Sequence, residues 1–98
     1  MIFLSSHLTP KECDIINITE SKVGEYILVR GQISEVREFK ESEFYILTIE
    51  DKTGKITGTL NSKSLNINKS QNYIFSGKIG EYENETQINI DKIIVYDN

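Results

Sequence analysis

The chain has 98 residues and 11.3 kDa, enough for one domain with its own core and too little for two. Fifteen acids against eleven bases give a formal charge of −4 and a pI near 5.0, which excludes a generally basic nucleic-acid coat. Apolar runs stop at four residues, as at 26–29 and 93–96, whereas a bilayer span needs roughly twenty, so no membrane partner is expected.

Residue usage points to strands. Alanine and tryptophan are absent, while there are sixteen isoleucines, seven threonines, five tyrosines, four phenylalanines and four valines. β-Branched and aromatic side chains suit pleated, half-buried surfaces, and alanine is the best helix former. Thr9-Pro10-Lys11-Glu12 reads as an N-cap, a first-turn proline and a capping-box glutamate, which predicts the start of a short helix. Ile15, Ile16 and Ile18 then read as extended. Residues 1–15 are expected to be irregular.

From Tyr26 the period is two. Ile27, Val29, Gly31 and Ile33 alternate with Leu28, Arg30, Gln32 and Ser34, predicting a long strand over 25–38 that bulges or bends at Gly31. A second strand over 44–51 sets Tyr45, Leu47 and Ile49 on one face against Phe44, Ile46 and Thr48 on the other. Asp51-Lys52-Thr53-Gly54 reads as a hairpin turn with its glycine left-handed. The third strand, 55–61, alternates Ile56, Gly58 and Leu60 against Thr57, Thr59 and Asn61. Residues 62–72 are polar, with only Leu65 and Ile67 as anchors and room for no more than one helical turn. Tyr73, Phe75, Gly77 and Ile79 mark a fourth strand. Glu81-Tyr82-Glu83-Asn84-Glu85 turns the chain into a fifth over 86–96.

Five successive strands, the first kinked at glycine and the next two in a tight hairpin, predict an all-β, closed Greek-key barrel over about residues 16–96. The helix between strands three and four is expected to be short or absent. The run Gly24-Glu25-Tyr26-Ile27-Leu28-Val29-Arg30-Gly31-Gln32-Ile33 resembles the first strand of OB-fold nucleic-acid-binding domains. In those domains a valine or isoleucine precedes a glycine and another follows it by two. Leu47-Thr48-Ile49-Glu50-Asp51-Lys52-Thr53-Gly54-Lys55-Ile56 is similar to their second and third strands around an acidic turn. Tyr73-Ile74-Phe75-Ser76-Gly77-Lys78-Ile79 is similar to their fourth. The likeness is to the anticodon-binding and single-strand-binding branch, archaeal replication protein A modules included. It implies a single-stranded DNA or RNA ligand lying across strands two and three.

Chemistry-bearing motifs are sparse. His7 and Cys13 have no second Cys or His to complete a zinc shell, and no nucleophile elbow or phosphate-cradling loop occurs. A non-catalytic protein without cofactor or metal is expected. One cysteine forms no internal disulfide, and the opening Met1-Ile2-Phe3-Leu4 lacks a basic leader, so a cytoplasmic location is expected.

Charge is segregated along the chain. Residues 52–80 carry Lys52, Lys55, Lys63, Lys69 and Lys78 without an acid, predicting one positive flank on the barrel. The outward face offers Phe44, Ile46 and Thr48 beside Thr57, Thr59 and Asn61. The first strand adds Arg30, Gln32, Arg37 and Phe39. With Lys55, Lys63 and Tyr82, these are the candidate contacts for stacked bases and a tracked backbone. Both flanking loops are acidic, through Glu38, Glu41 and Glu43 and through Glu81, Glu83 and Glu85, and oppose phosphate. Weak binding of a single strand is therefore expected, aided by a protein partner or further OB domains. The alternative is a protein-interaction subunit that uses Phe44 and Ile46 as its contact.

Overall fold

Period-two alternation decides the architecture of this chain, because each segment that carries it becomes a strand with one dry face. The computed structural model describes residues 11–95. It contains strands β1 (Lys11–Glu12), β2 (Tyr26–Phe39), β3 (Phe44–Glu50), β4 (Lys55–Asn61), β5 (Tyr73–Tyr82) and β6 (Glu85–Val95). Three single-turn 3₁₀ helices complete the elements, with no α-helix among the described residues. The sheet order is β1-β2-β3-β4-β6-β5, and β5 pairs back onto β2. That closes a five-stranded barrel, as expected, with β1 as an additional edge strand.

Inside lie Ile27, Val29, Ile33, Leu47, Ile49, Phe75, Ile79 and Ile88, each no more than 2% exposed. The expected parity of β3 holds. Tyr45, Leu47 and Ile49 are buried, and Phe44, Ile46 and Thr48 lie half-buried on the outer face. Ile15 and Ile18 plug one end, and Leu65 and Ile67 pack against the core from the 62–72 segment, which forms no helix.

β2 serves two neighbours in turn. Tyr26 to Gly31 pair with β5, and Gln32 to Phe39 pair with β3. Gly31 stands at the changeover because a Cβ there would meet the Glu50 carbonyl oxygen at 2.5 Å. The register shift itself falls later, between Ile33 and Glu35. Such a bulge sharpens the local twist that barrel closure needs.

Two local expectations are corrected. Lys11 and Glu12 form a strand, parallel to Ile27 and Leu28, where a helix start was expected. The edge of β2 supplies partners for their backbone, and the Cys13 N–H continues the pairing to the Leu28 carbonyl at 2.9 Å. Thr9 and Pro10, like His7 and Tyr96, lie outside the described residues. Gly54 is not left-handed, since Gly24 is the described glycine with positive φ. The β3–β4 turn is held by a side chain instead: Asp51 Oδ1 accepts the Thr53 N–H at 2.7 Å, the Thr53 hydroxyl at 2.6 Å and the Gly54 N–H at 3.0 Å. This is an aspartate turn, which asks no special φ of the glycine. No helix among the described residues is long and apolar enough to cross a membrane.

Candidate functional site

Cross-strand register assembles the outer face from residues far apart in sequence. Phe39, Phe44 and Asn61 form one row across β2, β3 and β4; Arg37, Ile46 and Thr59 form the next; Glu35, Thr48 and Thr57 form a third. Directly opposed residues share a face of the sheet, so these nine side chains lie on one surface. At its upper end the Phe39 and Phe44 rings are 6.0 Å apart and tilted by 44°. The Arg37 guanidinium carbon stands 5.7 Å over the Phe39 ring. A cation on an aromatic pair leaves flat, partly exposed π surface at the mouth of the β2–β3 loop.

Below that platform the surface is polar and uncharged. Thr57 and Thr59 face Gln87 and Asn89 of β6 through a parallel pair. The Thr59 hydroxyl donates to Asn89 Oδ1 at 2.9 Å, and Gln87 Nε2 donates to the same oxygen at 3.2 Å. A groove of about 240 Å³ lies here, floored by Ile46, Thr57, Thr59 and Gln87. Tyr82, 65% exposed, forms its wall with Glu83, Glu85 and Thr86. The β5–β6 hairpin holds this wall in place by a two-residue turn in which Glu83 (φ 52°) and Asn84 (φ 68°) are both left-handed. Asparagine tolerates that conformation well, and the primed turn matches the twist of the flanking strands.

Other expected contacts lie elsewhere. Arg30 forms an ion pair with Glu12 at 3.0 Å, and Gln32 Nε2 donates to Asn72 Oδ1 at 3.0 Å. Both line a separate depression with Asp14, Glu50 and Lys52. The positive flank does not form. Lys52 and Lys55 sit at one end of β4, the exposed Lys63 follows its other end, and Lys78 is on β5, which β6 separates from β4. Lys78 instead stands 5.8 Å over the Tyr26 ring. A block contiguous in sequence is dispersed because consecutive strands β4 and β5 are not neighbours. Lys55 adjoins the site, beside Thr48 and Thr57.

Sequence reading missed Glu35, Gln87 and Asn89. The outward parity of the last two was visible beside Ile88 and Ile90, but their proximity to β4 depends on a parallel pairing that leaves no periodic signal. Among the described residues, no three His, Cys, Asp or Glu side chains come together to hold a metal ion.

Comparison with known proteins finds no matching family model and no matching curated protein. Solved structures match well. An OB domain from Methanosarcina mazei superposes at a TM-score of 0.76 with 18% identity, over 92% of this chain and 87% of that one. The barrel is an OB-fold. The second OB-fold domain of replication protein A from Methanococcus maripaludis gives 0.70 and 16%, over 89% of this chain and 96% of that one. A replication protein A heterotrimer bound to single-stranded DNA gives 0.67 and 13%, over 78% of this chain and 60% of that one. Identities of this size establish the OB-fold and nothing finer. Within it, the loop joining β2 to β3 and the hairpin joining β5 to β6 flank the face just described.

Proposed function

We propose that the chain is a non-catalytic module that binds single-stranded nucleic acid across the outer face of β2, β3 and β4. The observation that carries this reading is the Arg37–Phe39–Phe44 platform set beside an uncharged polar groove walled by Tyr82. Stacking on aromatic faces tolerates any base, and each stack contributes roughly 1–3 kcal/mol. The OB-fold of a single-stranded DNA complex is among the structures the chain resembles, which supports the same reading.

Charge sets the strength. Arg37 and Lys55 adjoin the face, while Glu35, Glu83 and Glu85 lie on it or at its rim. Two phosphate contacts correspond to a salt slope of about −1.4 for single strands. Affinity of the isolated chain is therefore expected on the order of 10⁻⁶ to 10⁻⁴ M at physiological salt. Titrating labelled single-stranded DNA and RNA, with duplex as the control, tests this by fluorescence anisotropy at two salt concentrations. Failure of every homopolymer to bind at low salt rejects it. The rim glutamates favour one alternative, a basic protein segment or subunit seated on Phe44 and Ile46, and that result would promote it.

A further inference from the structure

We propose that Asn89 makes this face selective among pyrimidines, favouring thymine and uracil over cytosine by presenting a fixed amide N–H donor. The inference rests on the single-strand reading above and deepens it. Asn89 Oδ1 receives two donors, from Thr59 Oγ1 at 2.9 Å and from Gln87 Nε2 at 3.2 Å. An amide oxygen has two lone pairs, so its accepting capacity is filled and its orientation is set. The nitrogen is thereby turned away from β4 toward β5. There it lies above Gly80, where a Cβ would come within 2.8 Å of Nδ2. Glycine at this position leaves the space that the amide occupies. Among the described residues no acceptor takes the Nδ2 protons.

A ring lies farther along the neighbouring strand. Tyr82 follows Gly80 by two residues on β5 and so projects from the same outward side, about 7 Å along the strand. That spacing is close to the width of a pyrimidine. A base stacked on Tyr82 meets the amide edge-on. Thymine and uracil carry a carbonyl oxygen at ring position 4, which accepts this N–H. Cytosine carries an amine there, so in the same orientation a donor faces a donor, and cytosine meets the N–H only by turning its N3 or O2 toward the amide. Thymine also carries a 5-methyl group that strengthens stacking, so the change in ratio between the native chain and its variants, not the native ratio alone, reports the hydrogen bond.

The test measures binding of labelled oligothymidine and oligodeoxycytidine, equal in length, to the full chain and two variants. The native chain is expected to favour oligothymidine by roughly five- to tenfold. Asn89→Asp retains the acceptor for Thr59 and Gln87 while deleting the donor, and should bring the ratio to one or below. Gly80→Ala retains Asn89 but displaces its amide, and should lower the ratio while both oligomers still bind. Because Nδ2 is the far end of a flexible side chain, this variant folds even if the first does not, and thermal melting verifies it. An unchanged ratio in either folded variant overturns the proposal. A native preference for oligodeoxycytidine also overturns it, and would move selection to a carboxylate such as Glu85. If neither oligomer binds the native chain, the single-strand reading fails, and the proposal fails with it.

Discussion

The carboxylate of Asp51 accepts the backbone N–H of Ile15 at 3.0 Å, joining positions 36 residues apart. The same side chain already closes the β3–β4 turn through Thr53 and Gly54. Thr53 adds a second tie, since its hydroxyl oxygen accepts the Ile16 N–H at 3.0 Å. One acid therefore fixes a turn and also holds the segment whose Ile15 and Ile18 plug the barrel.

This clasp predicts a pH dependence. Burial pushes the Asp51 carboxyl upward, but hydrogen bonds from the Thr53 hydroxyl and from the Ile15, Thr53 and Gly54 N–H groups outweigh it and hold the pKa below 3.8. A carboxyl depressed in the folded state contributes stability in full above its unfolded value, and that stability is lost as pH falls through the lower folded value. Urea midpoints should therefore fall more steeply below about pH 4 in the native chain than in Asp51→Asn. Asp51→Ala should cost roughly 1–3 kcal/mol at neutral pH, because several part-buried donors lose their acceptor at once. Equal midpoints for native and Asp51→Ala would remove the clasp from the account.

Phe44→Ala should weaken binding to every single strand by roughly 1–3 kcal/mol, the size of one base–aromatic stack. The ring sits on the outer face, so the variant should still melt cooperatively. Lys55→Ala should instead flatten the salt slope by about 0.7, one phosphate contact, without changing base preference. Unchanged affinity in a folded Phe44→Ala protein would take the platform out of the site.

Gly77→Ala tests the barrel closure. It stands at the β5–β6 register shift, where an added Cβ would run into the Asn89 carbonyl and lie 2.9 Å from the Ile90 Cα. These facing atoms are backbone of β6 and cannot step aside as a side chain can, so the substitution should cost about 1–3 kcal/mol or more. At Gly80 the facing atom is a side-chain nitrogen, and alanine should cost far less in the same denaturant titration.

Tyr45 offers a spectroscopic check. Burial, the Glu38 charge and the hydrogen bond from its hydroxyl to Glu38 at 3.3 Å together raise its pKa above 10.0, against an opposing contact with the Leu65 backbone. A raised folded pKa means stability that is intact below the unfolded value and lost as pH climbs through the folded one. Ultraviolet titration should show Tyr45 ionising late, and Glu38→Gln should bring it partway back.

The barrel was readable because β-branched and aromatic residues repeat with period two, and a slip of one residue would have exposed Leu47 and Ile49. The outward set Phe44, Ile46 and Thr48 followed from the same parity. What escaped was non-local. Gln87 and Asn89 reach the site through a parallel pair with β4, and the lysine block is divided by the strand inserted between β4 and β5. At Lys11 and Glu12 the capping signal lost to an available sheet edge, which a local signature does not register.

β2 has a mechanical consequence. Its first half pairs with β5 and its second with β3, so one uninterrupted backbone belongs to both walls of the barrel. Opening either wall strips half of this one strand of its partners. Amides of β2 around Val29 to Ile33 should therefore exchange with solvent only through global unfolding, whereas those of the β5–β6 hairpin tip exchange through local fraying. The end of the molecule that carries this hairpin can then breathe while the seam stays shut.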